Sequence, residues 1–377
     1  MPFDTLEIQI SLQKLLIGLI LVIVPLSFVG LYLTSEADTS LKQTIGAHFR
    51  SIAQTESTAA SQFINDRVLD VAALARNPAV VDAITAAQRK GFDDAVIAAR
   101  IGKIERTWET PQVDPLVKEI LSSPTSQVLR HHREADPRFL KVLVADETRA
   151  TVAATHKPLH YVQPNEVYWQ AVYGEGRGGI YVSEVRYDDQ TKANYLDIGA
   201  PVVEEGTRRF IGAVNALVDV SSLLFRFQRE EIGGQTARIM LVQDDGTVIS
   251  ALNMDPSLRL KSDEYAIVHD VLGTPQGRQA GYVVANMRGG NRIVGFADIG
   301  LKRTYPNLGW LILVSQDERE ALAPLRGLSR FALLMVVLAF LMLTLLTVYF
   351  SLHRRQRFED IDVEAAQEPP TSGAAAA

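Results

Sequence analysis

Two long, uncharged apolar runs constrain this chain more than anything else in it. Residues 15–33 read LLIGLILVIVPLSFVGLYL and residues 331–352 read FALLMVVLAFLMLTLLTVYFSL. A helix rises about 1.5 Å per residue, so roughly 20 apolar residues cross the hydrocarbon core of a bilayer. Both runs reach that length and are apolar on every side, as contact with lipid requires. The first run is longer than the core of a cleaved signal peptide, and no small-x-small site precedes Glu36, so it reads as a retained anchor. Lys14 is the only basic residue ahead of it, whereas His353-Arg354-Arg355-Gln356-Arg357 follows the second run. Basic flanks favour the cytoplasm. The expected topology is a two-pass protein of a bacterial inner membrane, with both termini cytoplasmic and the main domain outside.

The expected division is a cytoplasmic N-terminus over residues 1–14, a transmembrane helix over 15–34, an extracytoplasmic region over 35–330, a second transmembrane helix over 331–352 and a short disordered cytoplasmic tail over 353–377. A domain needs on the order of 50 residues to build a core, so no output domain is expected within this chain. The 38 Lys and Arg against 44 Asp and Glu give a net charge of −6 without a basic block, which argues against a nucleic-acid partner. The absence of cysteine removes disulfides, thiolate metal sites and cysteine nucleophiles. His131-His132 lack a carboxylate at ligand spacing, so neither metal nor cofactor is expected. There is no phosphate-cradling Gly loop and no Gly-x-Ser-x-Gly elbow; the chain does not read as an enzyme.

Within the outer region, residues 35–138 read as a helical stalk. Leu41, Ile45, Ile52, Ala59, Leu69 and Ala73 recur at three- and four-residue steps. Asn77-Pro78 stops this first helix, and more helix follows from residue 79 to about 107. From residue 139 the pattern turns to strands. Runs at 139–144, 180–185, 195–203 and 210–218, with a short amphipathic helix at 165–174, make up a membrane-distal module over 139–232. A strand, an Asp-Asp-Gly turn and a second strand from Ala237, then runs at 279–285, 291–299 and 310–315, make up a membrane-proximal module over 233–330. Each set is an antiparallel sheet with helical excursions, hence α+β, and the two look like a duplicated architecture.

These pieces carry a resemblance. Tyr168-Trp169-Gln170-Ala171, Ser183-Glu184 with Asp188 after it, Ala200-Pro201-Val202, and Ile211-Gly212-Ala213-Val214 leading to Asp219-Val220 occur in that order. Asp245-Gly246-Thr247-Val248, Gly295-Phe296 and Tyr305-Pro306-Asn307-Leu308-Gly309-Trp310 follow them. So arranged between two apolar spans, the chain resembles the double Cache (dCache) extracytoplasmic sensor domains of bacterial receptors, without a HAMP or output domain. The resemblance implies a long N-terminal helix, two PAS-like antiparallel-sheet modules and two flanking transmembrane helices. It also implies a homodimer along the long helix and a small-molecule ligand in the distal module, between the sheet and the short aromatic helix.

Tyr168, Trp169 and Tyr173 offer apolar faces with polar tips, which suits a half-wet pocket; otherwise they pack their helix on the sheet. The amino-acid-binding members of the family carry an R-x-W-Y pattern with a later Tyr and an Asp, the Arg for the ligand carboxylate and the Asp for its ammonium. Here Glu166 stands at the Arg position, Tyr168-Trp169 replace Trp-Tyr, Arg186 replaces the Tyr and Leu217 the Asp. A typical α-amino acid is therefore disfavoured. Arg186 with Tyr168 and Tyr173 would hold a carboxylate and Glu166 an amine; either charge is otherwise a solvated surface group. Asp219 reads as a turn and cap before Ser221-Ser222, with a site role as the alternative. Asp197 shares a strand face with Tyr195 and Gly199 and points either to solvent or into a cavity. Tyr282, Phe296 and Asp298 would line a lesser pocket in the second module, or pack its core. The function expected is a membrane-anchored small-molecule sensor, set in lipid, that relays to a separate cytoplasmic or membrane signalling protein. The alternatives are a scaffolding membrane protein whose domain binds another protein, and a receptor fragment.

Overall fold

The computed structural model describes residues 12–89, 101–106, 108, 115–163, 167–228, 234–254, 258–272, 279–287, 289–325, 330–331 and 333–349. It divides into two compact units, Ile45–Glu318 and the two flanks Met1–Thr44 with Arg319–Ala377.

Helix α1 (Leu12–Ala75) runs 64 residues without a break and contains Pro25. The first apolar run and the stalk helix are thus one element. The polar stretch between them holds neither Gly nor Pro, and its threonines bond back to the helix: Thr34 Oγ1 donates to the Gly30 carbonyl at 2.7 Å and Thr39 Oγ1 to that of Ser35 at 3.1 Å. The buried stripe differs from the one expected. Phe49, Ala53, Ser57, Ala60, Ile64, Val68, Val71 and Leu74 are buried, whereas Leu69 is 66% exposed and Ala73 is also exposed. Ala53, Ser57 and Ala60 bring small side chains into the stripe, and the helix lies close to the second sheet: a Cβ on Gly295 would stand 2.5 Å from the Phe49 carbonyl carbon. Asn77 then caps α2 (Pro78–Arg89), its Oδ1 accepting the Ala79 N–H at 2.9 Å, and Pro78 fills the first helical position. Residues 90–100 and 109–114, where the sequence predicts more stalk, lie largely outside the described residues. Helices α3 (Pro115–Ser122) and α4 (Pro124–Ala135) follow, with Ser123 capping α4.

The first sheet contains β1 (Phe139–Asp146), β2 (Thr151–Ala154), β3 (Tyr181–Val182), β4 (Arg186–Asp188), β5 (Ala193–Val203) and β6 (Phe210–Asp219). Its order is β2-β1-β6-β5-β3, with β4 also on β5, and every pairing is antiparallel. The strand expected at 180–185 is split. Ser183 Oγ, rather than a carbonyl, accepts the Asp197 N–H at 2.9 Å, so the ladder passes through a side chain before resuming at Arg186. Helix α5 (Val167–Tyr173) lies on one face of this sheet, and α6 (Ser221–Phe225) follows β6.

The second sheet contains β7 (Arg238–Gln243), β8 (Val248–Ala251), β9 (Ala280–Met287), β10 (Gly290–Asp298) and β11 (Trp310–Asp317), in the order β8-β7-β11-β10-β9. Both sheets thus place an N-terminal hairpin at one side, their last strand in the middle and the preceding strand beyond it. Gly246, at φ 84°, makes the β7–β8 turn that the Asp-Asp-Gly run predicts. Helix α7 (Asp263–Leu272), absent from the sequence reading, is capped by Ser262 and packs Tyr265 and Val268 into a core with Phe296 and Leu313. The lesser pocket expected at Tyr282, Phe296 and Asp298 resolves into packing and turn bonds: Phe296 is buried, Tyr282 lies against Gly46, and Asp298 Oδ1 accepts the Gly300 N–H.

After β11 come α8 (Glu318–Ala321) and then α9 (Leu333–Tyr349). Within the flanking unit, Ile23, Ser27 and Ala339 are buried where α1 and α9 meet, while most of their large apolar side chains are exposed. Among the described residues one helix, α1, is long and apolar enough to cross a membrane, with an 18-residue window of mean hydropathy 1.8; the described part of α9 is shorter.

Candidate ligand-binding site

The register of β1, β6 and β5 places side chains in rows across one face of the first sheet. Lys141 pairs with Leu217, which pairs with Asp197; the next row is Leu143, Asn215 and Gly199. Partners across a strand pair share a face. Helix α5 covers the adjoining rows, with Tyr168, Trp169 and Val172 packed against Ala145, Ala213 and Tyr181. Gly199 allows this approach: a Cβ there would stand 2.6 Å from Val172 Cγ2.

Beside α5 the same face opens into a cleft of about 280 Å³. Its floor is Leu143, Asn215, Leu217 and Asp197; Tyr168 and Gln163 form one wall, and Thr155 to Leu159 with Lys141 form the rim. The volume lies at the small end for ligand pockets. The Asn215 amide donates to Asp197 Oδ1 at 2.7 Å, which holds the carboxylate in the cleft. The rim is tied down at several points. Lys157 Nζ donates to the Trp108 carbonyl at 2.7 Å, and the Trp108 indole donates to the Pro158 carbonyl at 2.9 Å. Lys141 reaches over the sheet to Asp188 at 3.0 Å and Gln190 at 2.9 Å. Burial pushes the Asp188 carboxyl up, but the Thr191 hydroxyl and Lys141 outweigh it and hold the carboxyl below its usual range. His156 is held below the ordinary histidine value by burial, Arg133 and Lys141. The neutral ring accepts from Arg133 at 2.7 Å.

Of the seven residues singled out from sequence, the cleft joins Tyr168 and Asp197. Trp169 and Tyr173 turn the other way, meeting Phe210 edge-on at 5.8 and 5.3 Å beside a separate open hollow. Arg186 is exposed, in the row it forms with Tyr195 and Asp219, and does not line the cleft. Asp219 turns the chain into α6, its Oδ1 accepting the Ser221 N–H at 2.7 Å, while Val220 holds the cap position. Glu166 lies outside the described residues. Sequence reasoning missed Asn215, Gln163, His156, Lys141 and Lys157. Asn215 had a visible signal, a lone amide in the apolar strand IGAVNALV. The position where the amino-acid pattern wants an Asp is Leu217, yet Asp197 stands directly across from it on β5. A carboxylate therefore occupies this part of the cleft, one strand away.

A long helix and two antiparallel sheets of like strand order, the first with a cleft on one face, are consistent with a double Cache fold. The chain belongs to the Cache domain family, whose sequence model matches residues 37–325. Cache domains are sensory modules that bind small molecules. Among solved structures the chain is similar to the ligand-binding domain of the Pseudomonas aeruginosa PAO1 amino acid chemoreceptor PctC in complex with GABA, with 17% identity over 73% of this chain and 99% of that one and a TM-score of 0.46. It is also similar to the sensory domain of the Campylobacter jejuni chemoreceptor Tlp3, at 10% identity over 74% and 96% with a TM-score of 0.48. A third is the extracellular domain of the putative histidine kinase rpHK1S-Z16, at 13% identity over 73% and 95% with a TM-score of 0.41. No curated protein matches the chain.

Proposed function

We propose that this protein is a membrane-anchored sensor of a bacterial inner membrane. Its Cache domain stands outside, and the two apolar runs at 15–33 and 331–352 cross the bilayer and leave both termini in the cytoplasm. The ligand is a small molecule with a positively charged nitrogen, held in the cleft beside α5, and the occupied state is relayed to a separate signalling protein. One observation carries the ligand reading: Asp197 lines the cleft, steadied by Asn215 and walled by Tyr168. A carboxylate there gives an ammonium its counter-charge, and the Tyr168 ring gives it an apolar wall. With Glu166 at the pattern's Arg position, simple amines are favoured over α-amino acids.

The test is a thermal-shift comparison on the full chain in detergent, using propylamine, propionate and alanine as matched probes. At about 100 times its Kd a ligand adds roughly 2.7 kcal/mol, a rise of roughly 5 °C for a domain of this size. Propylamine raises the melting temperature and Asp197→Asn abolishes the rise. Stabilisation by propionate alone overturns the amine reading. If probes of neither charge stabilise the protein across a wider panel, a scaffolding role that binds another protein replaces sensing.

A further inference from the structure

The cleft is connected to the second sheet by hydrogen bonds that run through two residues. Asp197 and Ser183 are bonded twice: the Ser183 N–H donates to the Asp197 carbonyl and the Asp197 N–H donates to Ser183 Oγ, both at 2.9 Å. Ser183 is fully buried, and its hydroxyl donates onward to the Glu184 carbonyl at 2.7 Å. The carbonyl just before it, on Val182, accepts Nδ2 of Asn307 at 2.9 Å. Asn307 belongs to the Tyr305–Trp310 turn that feeds β11, and its own carbonyl accepts Nε2 of Gln243, the last residue of β7, at 3.1 Å. Gln243 in turn pairs with Trp310, the first residue of β11. A further polar contact near here, Arg259 to Glu184 at 3.9 Å, is between exposed side chains and is weak.

We propose that Ser183 and Asn307 are the positioning residues that couple the cleft to the second sheet, so that a charge placed against Asp197 is felt at β7 and β11. The inference rests on the cleft being the ligand site. A ligand drawing Asp197 toward it pulls β5 against β3, because Ser183 holds the two strands together where the backbone ladder is interrupted. The Val182 carbonyl moves with β3, and Asn307 converts that movement into a shift of the turn entering β11. Coupling of this kind requires only that the bonds differ between the empty and occupied states. One neutral hydrogen bond corresponds to roughly a fivefold change in an equilibrium, which is enough to be read.

Because the chain has no cysteine, Leu217→Cys offers a unique thiol opposite Asp197. Reaction with 2-aminoethyl methanethiosulfonate then tethers an ammonium in the cleft regardless of affinity. Amide hydrogen exchange is followed in the full chain in lipid nanodiscs. Tethering slows exchange in β5 and α5, and slows exchange in β7 and β11 by roughly fivefold. In the Asn307→Ala background β5 and α5 still respond while β7 and β11 do not. This variant retains the backbone carbonyl that Gln243 uses. Ser183→Ala, which keeps its N–H bond to Asp197, is the second variant and gives the same split. Arg259→Ala leaves the full response intact. A response of β7 and β11 that persists in both variants overturns the coupling and leaves the ligand site standing, as does a cleft response that never reaches β7 and β11. If β5 and α5 themselves do not respond, the ligand site fails and the coupling fails with it.

Discussion

At residue scale the cleft depends on a missing side chain. Gly199 lets α5 sit against β5, and an added methyl would meet Val172 Cγ2 at 2.6 Å. Gly199→Ala is expected to destabilise the fold by about 1–3 kcal/mol and to remove amine binding by displacing Tyr168; chemical denaturation and calorimetric titration measure the two effects. A second dependence lies at Asp136, whose carboxylate takes Arg138 at 2.7 Å and Arg67 of α1 at 2.5 Å. The Arg138 bond is the main reason its carboxyl is held below the usual range. That stabilisation is therefore present above about pH 4 and is lost as the pH falls further. Asp136→Asn should cost about 1–3 kcal/mol at neutral pH and flatten the acid limb of the melting curve. His156 has the same sign for another reason. Its neutral form is favoured in the folded state, so its contribution is present above about pH 6.5 and falls away below it. Melting curves from pH 5 to 8 should lose that slope in His156→Gln. Asn215 was missed although its signal was there, since an amide in an apolar strand needs a partner. The facing of Asp197 was not legible, because the period of two fixes which residues share a face but not which face is covered.

At the scale of elements, helix α1 shows why a hydrophobic stripe can be drawn in the wrong place. Reading for larger side chains selects Leu69, which is 66% exposed, and passes over Ala53 and Ala60, which are fully buried. A helix pressed onto a sheet selects small residues where the backbones approach, and the sheet answers with Gly295. Gly295→Ala should push α1 from β10 and destabilise by about 1–3 kcal/mol. Leu69→Ser should stay within about 0.5 kcal/mol. Urea titrations of the pair decide between them. The longer strands were legible from their β-branched runs and turn residues, while β2 and β4 were not read. The break after Val182 was not legible, because nothing in Tyr181-Val182-Ser183-Glu184-Val185 announces a serine hydroxyl standing in for a carbonyl. Helix α7 was hidden for a related reason: its acidic start and Ser262 cap follow residues without a clear period.

At the scale of the whole molecule, the doubling of the sheet was visible in sequence as two sets of strands, and the shared strand order agrees with it, although the β1–β2 hairpin that leads the first set was not read from sequence. The order itself, with the last strand inserted at the centre, comes from long-range pairing that no local pattern encodes. The apolar runs were the plainest signal of all, yet their meaning is tested only in a membrane. Alkaline phosphatase fused at Thr207, in the exposed connection between β5 and β6, should be active, and the same reporter fused after residue 357 should be inactive. The opposite pattern would end the sensor reading.

The close meeting of Phe49 and Gly295 has a mechanical consequence. At this one point the rod lies main chain against main chain, so a small axial slip would drive a neighbouring residue of α1 over the glycine notch. Such a seat behaves as a detent. It would resist gradual creep of the helix along the sheet.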